Sequence, residues 1–137
     1  QPLCYQFRAG AAIVILLSFY MEYFPKRESD FNIYVESALN FIERNFQNVH
    51  LSVQQVADYV KLDRTYLYRL FKQQMGMSIV EYINRRRVSR AEVMLIDMQI
   101  SVKDVAFSVG FSDPMYFSRV FKRLNGITPT KFKAAIC

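Results

Sequence analysis

Residues 52–60 read SVQQVADYV, and residues 101–109 read SVKDVAFSV. Five of these nine positions are identical at an offset of 49 residues. After one inserted residue the offset becomes 50, and five further identities follow: Tyr66/Tyr116, Arg69/Arg119, Phe71/Phe121, Lys72/Lys122 and Gly76/Gly126. Ten identities with one gap indicate a duplicated module of about 50 residues. Two copies are too few for a solenoid.

Each copy carries the signals of two short helices separated by a tight turn. A residue that can cap a helix precedes each of them, and a glycine follows the second. The capping residues are Ser52, Asp63, Ser101 and Asp113, and the glycines are Gly76 and Gly126. The small residues Ala57 and Ala106 allow the two helices to cross closely. We therefore predict two helix-turn-helix modules, at 48–77 and 101–126.

The second helix of each module, at about 64–75 and about 114–124, has two different faces. One face is apolar at helical spacing and is assigned to the core: Leu67, Leu70, Phe71 and Met75, then Phe117, Val120, Phe121 and Leu124. The other face carries Thr65, Tyr68, Arg69 and Lys72, then Met115, Ser118, Arg119 and Lys122. An arginine on a helix in the major groove can bond guanine O6 and N7 together. A single polar face of this kind could be an ordinary solvated surface. Two matching faces on duplicated modules favour sequence-specific binding of DNA.

A connecting helix is predicted over residues 78–97, SIVEYINRRRVSRAEVMLID, which contain neither glycine nor proline. Ser78 and Glu81 have the spacing of a capping box. Twenty residues span ~30 Å of helix, close to the ~34 Å between successive major-groove faces. Four arginines crowd this helix, at positions 85, 86, 87 and 90. Some should contact phosphate, but Arg87 and Arg90 could equally pair with carboxylates such as Glu92 or Asp97.

Charge is concentrated in the second half of the chain, which has 137 residues and a net charge of +6. Residues 1–60 hold four basic and six acidic residues, and residues 61–137 hold the other 14 basic and six acidic ones, giving −2 and +8. The positive field of residues 61–137 suits a polyanionic partner, either nucleic acid or an anionic membrane surface. The alternative is that these charges only keep the protein soluble and bind no partner.

The sequence contains no motif typical of enzymes or of metal-binding proteins. Two cysteines, at the two ends, and one histidine, His50, exclude a disulfide scaffold, a cysteine-based zinc site and a histidine-centred triad. Nucleophile elbows, phosphate-binding glycine loops and paired carboxylates are also missing. We expect neither an enzyme nor a cofactor. A membrane-surface or protein-interaction module remains the rival interpretation.

The N-terminal residues 1–30 are predicted to be a helix and linker left from a preceding domain, which the family resemblance given below implies is a regulatory or dimerisation domain. Residues 9–21 are apolar and free of charge, but 13 residues are too few to span a bilayer. They are better explained as a buried helix or a dimer contact, followed by a linker at 25–29. The tandem domain, 31–137, then begins with a helix over 31–46 whose apolar face is Ile33, Ala38, Leu39, Phe41, Ile42 and Phe46.

The stretch 110–122, GFSDPMYFSRVFK, followed by GITP at 126–129, resembles the DNA-binding domain of AraC/XylS-family transcription regulators. The resemblance covers about residues 32–135. It implies an all-α domain of seven helices, with helices 3 and 6 reading adjacent major-groove segments of a promoter. A polar residue is frequent in the family where this chain has Pro114 and Met115. Shape and methyl contacts are therefore expected at the start of helix 6.

The resemblance also implies contact residues and partners. The family's base-contact positions fall on Thr65, Tyr68, Arg69, Met115, Ser118 and Arg119. We assign phosphate contacts to Arg64, Lys72, Arg85, Arg86, Lys122 and Arg123. Family members bind promoter DNA as a monomeric unit with two contacts or as dimers on repeated sites, and many activate transcription by touching RNA polymerase. The family normally carries an N-terminal domain for effector binding and dimerisation. A cytoplasmic activator without a membrane partner is expected, in which the N-terminal segment could form a homodimer.

Overall fold

The computed structural model describes residues 32–136, and in this range it contains seven helices and no strand. The helices are α1 (Ile33–Asn45), α2 (Val53–Val60), α3 (Arg64–Met75), α4 (Ile79–Met94), α5 (Val102–Ser108), α6 (Pro114–Asn125) and α7 (Pro129–Ala134). The predicted all-α domain of two helix-turn-helix modules and a connecting helix is therefore confirmed. The predicted N-terminal apolar helix, the linker and both cysteines lie outside the described residues.

The two recognition helices, α3 and α6, begin and end at equivalent positions of the repeat. The Asp63 carboxylate accepts a hydrogen bond from the Thr65 N–H (2.9 Å), and Asp113 accepts one from the Met115 N–H (3.0 Å). These bonds satisfy amide groups that have no partner inside the helix. Gly76 and Gly126 end the two helices in the left-handed conformation, at φ 73° and 81°. Both helices therefore have the same length of 12 residues.

The apolar core is divided into two clusters. The first joins α1, α2 and α3 to the first half of α4, and its last buried member along the chain is Ile83. The second joins the rest of α4 to α5, α6 and α7, and its first buried member is Val88. Helix α4 thus belongs to both modules, and its turn at 84–87 holds one asparagine and three arginines, of which Asn84 and Arg87 are buried.

Helix α1 turns its apolar face differently from the prediction. Ile33 was expected in the core, but its side chain is 70% exposed because it occupies the first position of the helix. Val35 is fully buried instead, and with Ala38, Leu39 and Ile42 it packs inward at helical spacing.

The connecting helix is shorter than predicted, since α4 ends at Met94 and not at Asp97. Its 16 residues span ~24 Å. The Ile96 and Asp97 amides bond carbonyls three residues back, at 3.3 and 3.1 Å, which tightens the chain out of the α-helix. From α7, Lys133 Nζ donates to the carbonyls of Asp97 (2.6 Å) and Ile100 (2.7 Å) and holds the following loop.

Candidate nucleic-acid interface

The outward faces of α3 and α6 carry the six predicted base-contact residues. Thr65, Tyr68, Arg69, Met115 and Arg119 are exposed, and Ser118 is half-buried. On the opposite faces, Leu67, Phe71, Phe117 and Phe121 are fully buried. The helical phase predicted from the repeat is therefore correct for both helices.

The guanidinium groups of Arg69 and Arg119 point into solvent without a partner. Neither forms a hydrogen bond or an ion pair with any residue between 32 and 136, whereas Arg44 on α1 bonds the Tyr59 hydroxyl (3.0 Å). Beside Arg69, the Lys72 ammonium lies 6.0 Å from the centre of the Tyr68 ring. The two arginines thus keep all their donors available to a bound molecule.

The turn between the two helices starts in the same way in both modules, although the turn of module two is longer by the inserted residue. The Leu62 amide donates to the Ala57 carbonyl (3.1 Å), and the Phe111 amide donates to the Ala106 carbonyl (3.0 Å). The residue before each of these amides has positive φ, which is 61° at Lys61 and 109° at Gly110. The duplication seen in the sequence is therefore also a duplication of backbone geometry.

A shallow groove borders the start of α3. It is lined by Val53, Arg64, Thr65, Tyr68 and residues 78–80, and its volume is about 340 Å³. The first turns of α2, α3 and α4 all line it, and helix N-termini carry partial positive charge. Arg64 is exposed at its edge, so this side of α3 is electropositive.

Three of the six predicted phosphate contacts are bonded to carboxylates of the chain itself. Arg86 Nε donates to Glu43 (2.8 Å), and the Arg86 guanidinium lies 5.0 Å from the centre of the Phe46 ring. Arg123 donates through both terminal nitrogens to Glu81 (3.0 and 2.9 Å), and Arg85 Nε also reaches Glu81 (3.2 Å). Sequence reasoning missed these partners, and a phosphate would have to compete with them. Arg64, Lys72 and Lys122 are exposed without an ion pair to any described residue.

The pKa values of Glu81 and Arg86 reflect these ion pairs. Hydrogen bonding from Arg123 lowers the pKa of Glu81 below its ordinary value, against the opposing effect of burial. Burial alone would lower the pKa of Arg86, but the hydrogen bond and charge of Glu43 outweigh it and raise that pKa. The Glu81 side chain is committed to two arginines and forms no return bond to the Ser78 amide. Only the Ser78 half of the predicted capping box is seen, in its bond from the Glu81 amide (3.1 Å).

Arg87 is buried and bonds no carboxylate between residues 32 and 136. Its guanidinium donates to the backbone carbonyls of Phe46 (2.7 Å) and Asn48 (3.0 Å) and lies 5.5 Å from the centre of the Phe111 ring. Burial lowers the pKa of this arginine. One turn earlier, Asn84 donates to the Tyr116 hydroxyl (3.1 Å). A spacing of three residues between Glu81, Asn84 and Arg87 was the available signal for a polar face.

Two further observations concern metal ligands and membrane spans in the part of the chain that is described. Between residues 32 and 136, no group of histidine, cysteine and acidic side chains is arranged to hold a metal ion. In the same range, no helix has both the length and the apolar character needed to cross a bilayer.

Comparison with known proteins identifies the family. A sequence family described as a helix-turn-helix domain matches residues 56–135, which is more than half of the chain. The arabinose operon regulatory protein of Salmonella typhimurium is 35% identical over 100 residues, which cover 73% of this chain and 36% of that protein. The chain belongs to the AraC family of helix-turn-helix transcription regulators.

Solved structures agree with this AraC-family assignment. The C-terminal domain of AraT, a response regulator from Geobacillus stearothermophilus, has a TM-score of 0.72 and 26% identity, covering 77% of this chain and 87% of that one. The DNA-binding domain of AdpA, described in complex with a target DNA, has a TM-score of 0.70 at 22% identity, covering 76% and 93%. It shares the fold. The chain spans less than half the length of the curated AraC-family relatives first matched, between 34% and 45%.

Proposed function

We propose that the chain binds promoter DNA by placing α3 and α6 in adjacent major-groove segments about one duplex turn apart. The observation that carries the proposal is the pair Arg69 and Arg119. They occupy equivalent positions of the two modules, and both are exposed without a partner among residues 32–136. Other arginines of the same range, such as Arg86, Arg87 and Arg123, are bonded within the chain. Free guanidinium groups at repeated positions suit bidentate bonding to guanine.

Each module would read its own segment, which we call a half-site. Thr65, Tyr68 and Arg69 contact bases in one half-site, and Met115, Ser118 and Arg119 contact bases in the other. Met115 is 69% exposed and offers an apolar surface to a thymine methyl group. Arg64, Lys72 and Lys122 contact phosphates directly, and Arg86 does so by exchanging the Glu43 carboxylate for a phosphate. Arg85 and Arg123, also predicted as phosphate contacts, keep their bonds to Glu81 in this proposal.

The partners of the whole protein follow from the family rather than from the described residues. We propose that it regulates transcription in the cytoplasm, in association with the nucleoid, and activates through RNA polymerase. Dimerisation through the N-terminal segment and a small-molecule effector bound by a further domain belong to the same proposal. The curated relatives are more than twice as long as the matched region, which leaves room for such a domain in them. The proposal includes no catalytic activity.

Selection of bound duplexes from a random DNA pool tests this function. We expect one enriched sequence with two half-sites whose centres lie about 10 base pairs apart. Affinity for it should fall steeply with salt, because each phosphate contact releases counterions. The double variant Arg69→Ala/Arg119→Ala should lose the enrichment, and Arg44→Ala, which removes a charge from α1, should retain it. Equal affinity for selected and bulk DNA at physiological salt would contradict the proposal.

A further inference from the structure

The two modules meet through polar contacts rather than through a shared apolar core. The first apolar cluster reaches Ile83 on α4, and the second starts at Val88. Among the described residues, neither cluster crosses the intervening turn, whose four side chains are all polar or charged. The placement of one module relative to the other therefore depends on α4 itself and on directional polar bonds.

Three side chains of α4 extend to module two. Glu81 accepts hydrogen bonds from both terminal nitrogens of Arg123 on α6 (3.0 and 2.9 Å). Asn84 donates to the hydroxyl of Tyr116, also on α6 (3.1 Å). The guanidinium of Arg87 lies 5.5 Å from the centre of the ring of Phe111, in the turn before α6. We call these three contacts the joint.

Arg87 connects the joint to module one. Its two hydrogen bonds go to the carbonyls of Phe46 and Asn48, in the segment between α1 and α2. Gly110 leaves the space for this side chain, since a Cβ there would lie 2.8 Å from Arg87 Nε and 2.7 Å from the Phe46 carbonyl oxygen. A buried guanidinium is thus held between module one and the turn that aims α6.

The bond of Tyr116 is particular to the joint and not a requirement of the module. Its counterpart in module one, Tyr66, is 51% exposed, and its hydroxyl has no hydrogen bond to any residue between 32 and 136. The two tyrosines occupy the same repeat position in helices of the same length. Folding a helix-turn-helix of this type therefore does not need the hydroxyl, and its use in module two serves contact with α4.

We propose that the joint fixes the orientation of α6 relative to α3 and so determines which separation of the two half-sites the chain accepts. Glu81, Asn84, Arg87 and Tyr116 act as positioning residues, without touching DNA. Hydrogen bonds lose strength over a few tenths of an ångström and a few tens of degrees, so they resist rotation that apolar packing tolerates. The inference rests on the proposed function, because it concerns the spacing of the same two half-sites.

The test uses the full chain and the duplex enriched from the random pool. Affinities are measured for that duplex, for duplexes with the half-sites one base pair closer or farther apart, and for duplexes with one half-site randomised. The variants are Tyr116→Phe, Glu81→Gln and their combination. In the combined variant we expect the preference for the selected spacing to fall about fivefold. A change of this size corresponds to the loss of one or two hydrogen bonds. In Tyr116→Phe, which changes no charge, affinity for duplexes with a single intact half-site should not change.

Tyr59→Phe is the matched control. It removes a tyrosine hydroxyl that accepts a hydrogen bond from Arg44 at 3.0 Å inside module one, away from the joint. Its spacing preference should equal that of the parent chain. Circular dichroism confirms that each variant is folded, and Tyr116→Phe alone decides the matter if the combined variant is not. An unchanged spacing preference in folded joint variants overturns the inference. If the parent selects no sequence with two half-sites, the proposed function itself fails, and the inference falls with it.

Discussion

The surroundings of each arginine decide its role. The guanidinium group is planar and always charged, and it donates in a fixed fork that fits a carboxylate, a phosphate or a guanine edge. Arg86 and Arg123 meet carboxylates, Arg87 meets backbone carbonyls, and Arg69 and Arg119 are left open to solvent. This last pair, at equivalent positions of the two modules, has its full bonding capacity available for recognition.

Arg69→Ala and Lys72→Ala should therefore differ in kind. Arg69→Ala should weaken binding to the selected duplex by ~1–3 kcal/mol and relax the preference at one or two base pairs. Lys72→Ala should weaken all sequences similarly and reduce the salt slope by about 1. Binding titrations at several salt concentrations separate the two effects. A large drop in melting temperature for Arg69→Ala would contradict its outward assignment.

Gly110 is required by its surroundings as well as by its backbone angle. Its φ of 109° is strained for any residue with a Cβ, and that atom would collide with a carbonyl oxygen of the backbone. Gly76 has φ 73°, but a Cβ there would meet nothing within 4 Å. We expect Gly110→Ala to lower the free energy of unfolding by about 3 kcal/mol and Gly76→Ala by about 1 kcal/mol. Urea denaturation of the two variants measures the difference, and equal losses would contradict the close approach of Arg87.

At the scale of elements, α4 combines several roles in 16 residues. It completes both apolar cores, carries the joint, and separates the recognition helices by its length. Its first turn holds Glu81, whose carboxylate receives Arg85 along the helix and Arg123 across from α6. The negative charge of Glu81 in the first turn of α4 also interacts favourably with the positive, N-terminal end of the helix dipole.

The stability that Glu81 contributes should depend on pH. Because the folded state lowers its pKa below the ordinary value of 4.5, the unfolded chain binds the proton more readily. The contribution is therefore complete above pH 4.5 and is lost as the pH falls through the lowered folded value. We expect the difference in unfolding free energy between the parent and Glu81→Gln to narrow as the pH falls below 4.5. A difference that is independent of pH would show that the carboxylate is not held by Arg123.

For the whole molecule, the repeat in the sequence predicted most of the fold. Capping residues such as Asp63 and Asp113, and glycines such as Gly76, are local signals, so they located the helices to within a residue or two. The end of α4 was placed three residues late, because apolar spacing continues through Leu95 and Ile96 after the backbone has left the helix. Periodicity reports which side chains are buried and does not report which hydrogen-bond pattern the backbone adopts.

The candidate site was predictable only in part, for the same physical reason. The outward position of Arg69 follows from the phase of one helix and could be deduced. Arg86 pairs with Glu43 across a sequence separation of 43 residues, and Arg123 pairs with Glu81 across a separation of 42. No local sequence pattern encodes pairs so far apart. Contacts of this kind need the packing of whole helices, which the sequence alone does not supply.

The division of the core has a consequence for how the domain comes apart. With no apolar cluster of the described residues crossing the middle of α4, one half of the molecule could melt while the other keeps its packing. The half-open form would still display one intact reading helix. A duplex with one half-site would then protect only the module that binds it against denaturation. A duplex with both half-sites would merge the two separate unfolding transitions of the modules into one.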